Sequence, residues 1–157
     1  MTEKRTEPQG KLVHIDDVPW EEWSHEERFG SRTKSVGAAA GSIQIGVNIE
    51  ELAPGKQSSP FHYHLLEEEH VLVLEGEATL RWGDQTFPLK KDDYICFPAR
   101  DAMGHCIINE SDASFRFLII GNRAKADICV YPDSNKIMCR ASREVYKKVP
   151  VDYWEGE

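Results

Sequence analysis

From Ser42 onwards the chain alternates. Ile43, Ile45, Val47 and Ile49 fall on one side of an extended segment, and Gln44, Asn48 and Glu50 on the other. That period of two marks a strand. Further short runs of similar character follow: HVLVLEG, EATLRW, QTFPL, YICFPA, HCIINE, SFRFLIIG and DICVYP. Turn signals separate them at Glu75-Gly76, Gly83-Asp84, Lys91-Asp92-Asp93, Asn109 to Asp112 and Pro132-Asp133-Ser134-Asn135. Eight or more short strands with almost no helix predict an all-β sandwich or small barrel. The lack of an internal repeat predicts one barrel rather than two.

The 157 residues suit a single domain with one core, and 40% apolar content is that of a globular chain. A formal net charge of -8 argues against nucleic acid, which needs clustered Lys and Arg, and gives no reason to expect an anionic membrane surface. No segment approaches the roughly 20 apolar residues of a membrane span. The polar start MTEKRTEPQGK has no apolar run behind it, so no signal peptide is expected and the reading is cytoplasmic. Cys96, Cys106, Cys129 and Cys139 contain no C-x-x-C pair and are expected to be reduced, structural thiols.

Residues 1–11 read as a flexible tail and 12–41 as an N-terminal arm. Within the arm, HIDDVPWEEWSHEERFG predicts a short helix. Asp17 would cap it, Pro19 would fit the first turn, Gly30 would end it, and Trp20 and Trp23 would share a face. SVGAAAGS reads as a Gly/Ala loop without the G-K-[ST] of a phosphate loop. Residues 42–132 form the expected barrel core and 133–157 a C-terminal extension.

The stretch PFHYHLLEEEH carries the chemistry. On a strand, His62 and His64 project side by side with Tyr63 on the reverse. A lone H-x-H is better read as a pair of surface histidines, but Glu69 follows just inside the next strand and His105 opens a later one. Three imidazoles and a carboxylate make a mixed N/O shell suited to Fe, Mn, Ni, Cu or Zn, with positions left open.

These residues resemble the cupin superfamily. Its first motif, G-x5-H-x-H-x3,4-E-x6-G, is nearly matched by GKQSSPFHYHLLEEEHVLVLEG, where Gly55 is followed by six residues instead of five before His62. Its second, G-x5-P-x-G-x2-H-x3-N, is met more loosely by DDYICFPARDAMGHCIIN. Pro98, His105 and Asn109 match, Asp92 and Arg100 stand where the motif has glycines, and the gap before His105 is two residues longer. The motifs span residues 55–109, and the layout is similar to small single-domain bacterial cupins, some of which carry the label of sugar-phosphate isomerase. The resemblance implies a double-stranded β-helix and one divalent metal held by His62, His64, Glu69 and His105. It also implies a homodimer through the outer sheet, which would cover the second apolar face of HVLVLEG.

Other residues admit two readings. Glu68 is the rival carboxylate and a weak catalytic candidate. Glu67 is expected to be solvated, and His70, His14 and His25 to lie outside the site. Phe61 and Tyr63 are expected to pack in the core. Arg100 is a candidate anion contact whose alternative is a surface ion pair, and Arg81 is a second such contact only if it points inward. The polar stripe of Gln44 and Asn48 is either solvent-facing or pocket wall. Asn109 is expected to fix a turn. The functional expectation is a metal-dependent enzyme acting on a small organic molecule, by isomerase-like or dioxygenase-like chemistry. A non-catalytic ligand-binding or structural cupin is the alternative.

Overall fold

The computed structural model describes residues 10–157. Of the tail expected over residues 1–11, residues 1–9 lie outside the described residues. Thirteen strands follow one another: β1 (Glu21–His25), β2 (Phe29–Lys34), β3 (Ile45–Leu52), β4 (Tyr63–His64), β5 (Glu69–Glu75), β6 (Glu77–Trp82), β7 (Gln85–Lys90), β8 (Tyr94–Phe97), β9 (His105–Ile108), β10 (Phe115–Asn122), β11 (Ile128–Tyr131), β12 (Lys136–Cys139) and β13 (Glu144–Lys147). Among the described residues, helix is limited to the four-residue α1 (Val36–Ala39) and single 3-10 turns at Ile15–Asp17 and Pro132–Ser134. The runs read as strands from residue 42 to 132 correspond to β3 and to β5 through β11.

One wall is a six-stranded sheet in the order β1-β2-β3-β10-β5-β8. The facing wall is built from β13-β12-β11-β4 and β7-β6-β9, and a bridge between His62 and His105 joins its two parts. Every pairing between two of these strands is antiparallel. Between the walls lie Leu52, Val71, Val73, Leu80, Ile107, Phe115 and Phe117, at the heart of a continuous apolar cluster. These are alternate residues of their strands, as a closed sheet facing itself requires. The result is a double-stranded β-helix.

The N-terminal arm departs from the sequence reading. Its helix is confined to the turn at Ile15–Asp17, while β1 and β2 form an antiparallel hairpin with Glu26 at φ 52 in its turn. A single short helix is marginal in water. The hairpin instead extends the sheet, because Lys34 pairs with Ile49 of β3. Trp20 then lies under Arg32 and Lys34, at 4.5 and 5.1 Å, and Trp23 Nε1 donates to Ser31 Oγ at 2.9 Å. Gly30, expected to stop a helix, sits inside β2, where a Cβ would come within 3.0 Å of the Trp23 carbonyl. The Gly/Ala loop contains α1, packed so closely on β3 that a Cβ on Gly37 would meet the Val47 nitrogen at 2.9 Å.

Arm and barrel are tied by charge as well. Arg32, Glu51, Arg116 and Glu75 lie in register across four strands. Buried Glu51 accepts from Arg32 at 2.7 Å and from Arg116 at 3.1 Å. Asn109 is fully buried, as its expected turn role requires. It donates to the carbonyls of Leu52 and Ala113 and accepts from Ser111. Asp92 and Arg100, which replace motif glycines, keep the left-handed backbone at φ 73 and 66. The turn shape survives although an L side chain there costs about 1–2 kcal/mol. All four cysteines are free, Cys106 and Cys129 buried and the other two partly so.

Candidate metal centre

The backbone brings His62 and His105 together. Each donates its amide to the other's carbonyl, at 3.2 and 2.8 Å, across the seam of the facing wall. His64 lies two residues on, paired with Cys129 of β11, and Glu69 opens β5 on the opposite wall. The side chains then converge. The Nε2 atoms of His105, His64 and His62 lie 3.1, 3.6 and 3.9 Å from one atom, Glu69 Oε2. His62, Glu69 and His105 offer donor atoms all within 4.8 Å of one another.

The far side of two imidazoles is fixed. His64 Nδ1 donates to Asp127 Oδ2 at 2.6 Å, and His62 Nδ1 donates to the Pro60 carbonyl at 2.8 Å. Both acceptors force the proton onto Nδ1 and leave Nε2 with a lone pair aimed at Glu69. His105 stacks on Phe97 with ring centroids 3.7 Å apart, and its buried Nδ1 has no protein partner among the described residues. Asp127 is itself held by the amides of Leu66 and Glu67, at 2.8 and 3.3 Å.

Protonation states agree with ligation. Burial, then the nearby His105, push the His62 imidazolium down to about 4, so the ring is neutral at pH 7. Burial acts to raise the Glu69 carboxyl, but the hydrogen bond from His105 and the electrostatic pull of the surrounding imidazoles outweigh it and bring it to about 2. Neutral imidazoles and an ionised carboxylate are the forms a divalent ion takes up. The donor set therefore fits such an ion.

A cavity of about 160 Å³ adjoins this point. His62, Glu69 and His105 line it together with Glu50, Ser58 and Ser59, and Val71, Phe97, Phe117 and Ile119 close it on the apolar side. Glu50 lies on β3 directly across from the core residue Phe117, so the polar stripe of β3 turns inward. The other stripe, with Val47 and Ile49, faces α1 and the arm.

The remaining candidates lie elsewhere. Glu68 is exposed and accepts from His70 Nε2 at 3.0 Å, outside the cavity. Glu67, expected in solvent, is buried. Its carboxylate takes Arg140 at 2.5 Å and the Ala124 amide at 2.8 Å, because the loop after β4 folds under β11 and the C-terminal hairpin. Arg100 is exposed and without a side-chain partner among the described residues, although its amide donates to the His64 carbonyl at 2.9 Å. Arg81 points outward, bidentate on Asp133 at 2.6 and 3.0 Å and stacked over buried Phe61. His14 and His25 are exposed, outside the site. Asp127, Glu50 and Glu67 are the residues that sequence reasoning missed. Each is brought in by a pairing between strands far apart in the chain, which leaves no local signal.

Comparison with known proteins agrees with this geometry. Residues 48–121 match the family described as cupin domain. A polyketide synthase, CurC of Streptomyces cyaneus, is 32% identical over 84 residues, or 54% of this chain; the matched region spans about half the length of that relative (50%). Among solved structures, a candidate sugar phosphate isomerase from Acidithiobacillus ferrooxidans superposes with a TM-score of 0.81 at 29% identity, covering 90% of this chain and 96% of the other. A cupin-superfamily sugar phosphate isomerase from Silicibacter pomeroyi gives 0.79 at 29% identity, covering 91% and 98%. Fold, motif spacing and these likenesses agree: residues 48–121 form a cupin domain.

Proposed function

We propose that the protein is a metal-dependent enzyme acting on a small organic molecule, with isomerisation of a phosphorylated sugar as its reaction. The observation that carries this reading is the convergence of three imidazole nitrogens on Glu69 beside a cavity of about 160 Å³. Likeness over nine-tenths of the chain to proteins described as sugar phosphate isomerases supports the substrate class. His62, His64, Glu69 and His105 would hold the ion, of the Fe, Mn, Ni, Cu or Zn group. A divalent ion there supplies a Lewis acid that polarises substrate carbonyl and hydroxyl oxygens. The chain's own part is to keep His62 neutral, to fix the orientation of His64 and His62 through Asp127 and Pro60, and to exclude water with Phe97, Phe117 and Ile119.

The likeness to CurC favours a second reading, a larger carbonyl-bearing polyketide as ligand. The cavity lies below the roughly 300–1,000 Å³ of drug-sized sites, which favours the smaller molecule. Dioxygenation of a small organic acid, or non-catalytic capture of a ligand, would use the same centre. One experiment separates these readings. The protein is stripped of metal, reloaded singly with Fe, Mn, Ni, Cu or Zn, and given a panel of aldose and ketose phosphates, with conversion followed by NMR and oxygen by electrode. Aldose–ketose conversion that vanishes on chelation is expected. Oxygen uptake by the Fe form without conversion would point to an oxygenase, and conversion that survives complete metal removal would refute the mechanism.

A further inference from the structure

We propose that Glu50 is the group that moves the substrate proton in this cavity; the assignment rests on the isomerase reading above. Its position is set by the sheet. Glu50 pairs with Phe117 of β10, so its side chain enters the barrel on the face that carries Glu69 two strands away. It lines the same cavity as His62, Glu69 and His105.

Glu50 differs from every neighbouring acid. Glu51 is neutralised by Arg32 and Arg116, and Glu67 by Arg140. Asp127 answers to His64 and two amides, and Glu69 to three histidines. Glu50 forms no ion pair among the described residues. The groups facing it are Glu69 from β5, His62 and His105 from the facing wall, and Ser31 from the arm hairpin. A half-buried carboxyl without a cation is costly, and such groups concentrate where chemistry uses them. Burial, then the charge of Glu69, push its carboxyl up to about 7 while Ser31 pulls it back, so both protonation states are populated near neutrality. That is the condition for efficient general acid–base work. The rest of the lining is ligands, serines, apolar side chains and Cys106, whose thiol burial pushes up to about 11. Glu50 is thus the cavity's one carboxylate, among the described residues, that is not in the ligand set.

The step balances as follows. Glu50 carboxylate takes the proton from the carbon beside the substrate carbonyl. The freed electron pair forms the carbon–carbon double bond of an enediolate, and the carbonyl oxygen takes up the charge. The proton of the neighbouring hydroxyl passes to that oxygen. Glu50 returns its proton to the former carbonyl carbon as the second carbon becomes the carbonyl, and the carboxylate is restored.

The test uses the full chain reloaded with zinc, as wild type, Glu50→Gln and Glu50→Asp, with glucose 6-phosphate and ribose 5-phosphate in deuterium oxide. Exchange of the carbon-bound proton is read by NMR, metal per chain by mass spectrometry, and the carboxyl by difference infrared spectra of the metal-free protein. Wild type should exchange, and Glu50→Gln should lose roughly 100- to 10,000-fold with metal content and native circular dichroism unchanged. Glu50→Asp should fall between. The wild-type spectrum should contain a protonated-carboxyl band, absent from Glu50→Gln, that fades as pH rises through about 7. Wild-type exchange in Glu50→Gln, or absence of that band, would overturn the proposal alone. Loss of metal in Glu50→Gln would make Glu50 a ligand and overturn it too. No exchange by metal-replete wild type with either sugar would overturn the isomerase reading and this proposal with it.

Discussion

Behind His64, Asp127 decides which nitrogen faces the site. Its carboxylate accepts from His64 Nδ1 at 2.6 Å and is pinned by two backbone amides. Asp127→Asn keeps the shape but removes the charge that supports the imidazole. It should weaken divalent-metal affinity by about 10- to 100-fold, read by competition with a chromophoric chelator, while the fold is retained. Glu50 makes a second residue-scale prediction. Its carboxyl is raised from 4.5 to about 7 in the folded chain, chiefly by burial. The folded state therefore holds a proton that the unfolded state has released, and the Glu50 contribution to stability falls as pH rises across that window, opposing His62, whose lowered value makes stability rise with pH between about 4 and 6.5. The Glu50 contribution is at most about 3 kcal/mol, and Glu50→Gln should remove it, so that stability of the metal-free protein in urea denaturation rises more steeply with pH in the variant than in wild type. His62, His64 and Glu69 were legible in the sequence because a period of two and a short connection put them on facing strands. Asp127 and Glu50 were not, because their places depend on the β4–β11 and β3–β10 pairings, which no local pattern encodes.

Among the elements, the strands from β5 to β11 were readable from alternation and turn residues. The arm was not. Its Asp, Pro and Glu sequence satisfies helix-start rules, yet the ladder to β3 and the packing of Trp20 under Arg32 and Lys34 outweigh local propensity. β4 spans two residues and is held only by its neighbours, and the β12–β13 hairpin has no strong alternation to announce it. Gly76, a motif glycine, shows how tightly the β5–β6 connection is specified. It sits at φ 82, and a Cβ there would approach the Ser114 carbonyl oxygen to 2.5 Å. Gly76→Ala should cost at least about 2 kcal/mol, from the left-handed backbone and the clash together, measured by chemical denaturation.

At the scale of the molecule, the six-stranded wall turns an apolar face outward. Leu118, Leu72 and Tyr94 lie in register across three strands, and Tyr94 is 63% exposed. An exposed sheet face of this kind invites a partner. We propose the homodimer expected from the sequence, and sedimentation velocity should show a dimer for wild type and a shift towards monomer for Leu118→Glu. The inner face of the same wall delivers Glu69 to the histidines of the other, and on that meeting the functional account depends. The most direct test is metal per chain after loading and gel filtration, for wild type, His105→Ala and Glu69→Gln, each checked for native circular dichroism. The account predicts one tightly held divalent ion per wild-type chain and almost none in either variant. Wild-type stoichiometry in the variants, or a wild type that retains no ion, would contradict it.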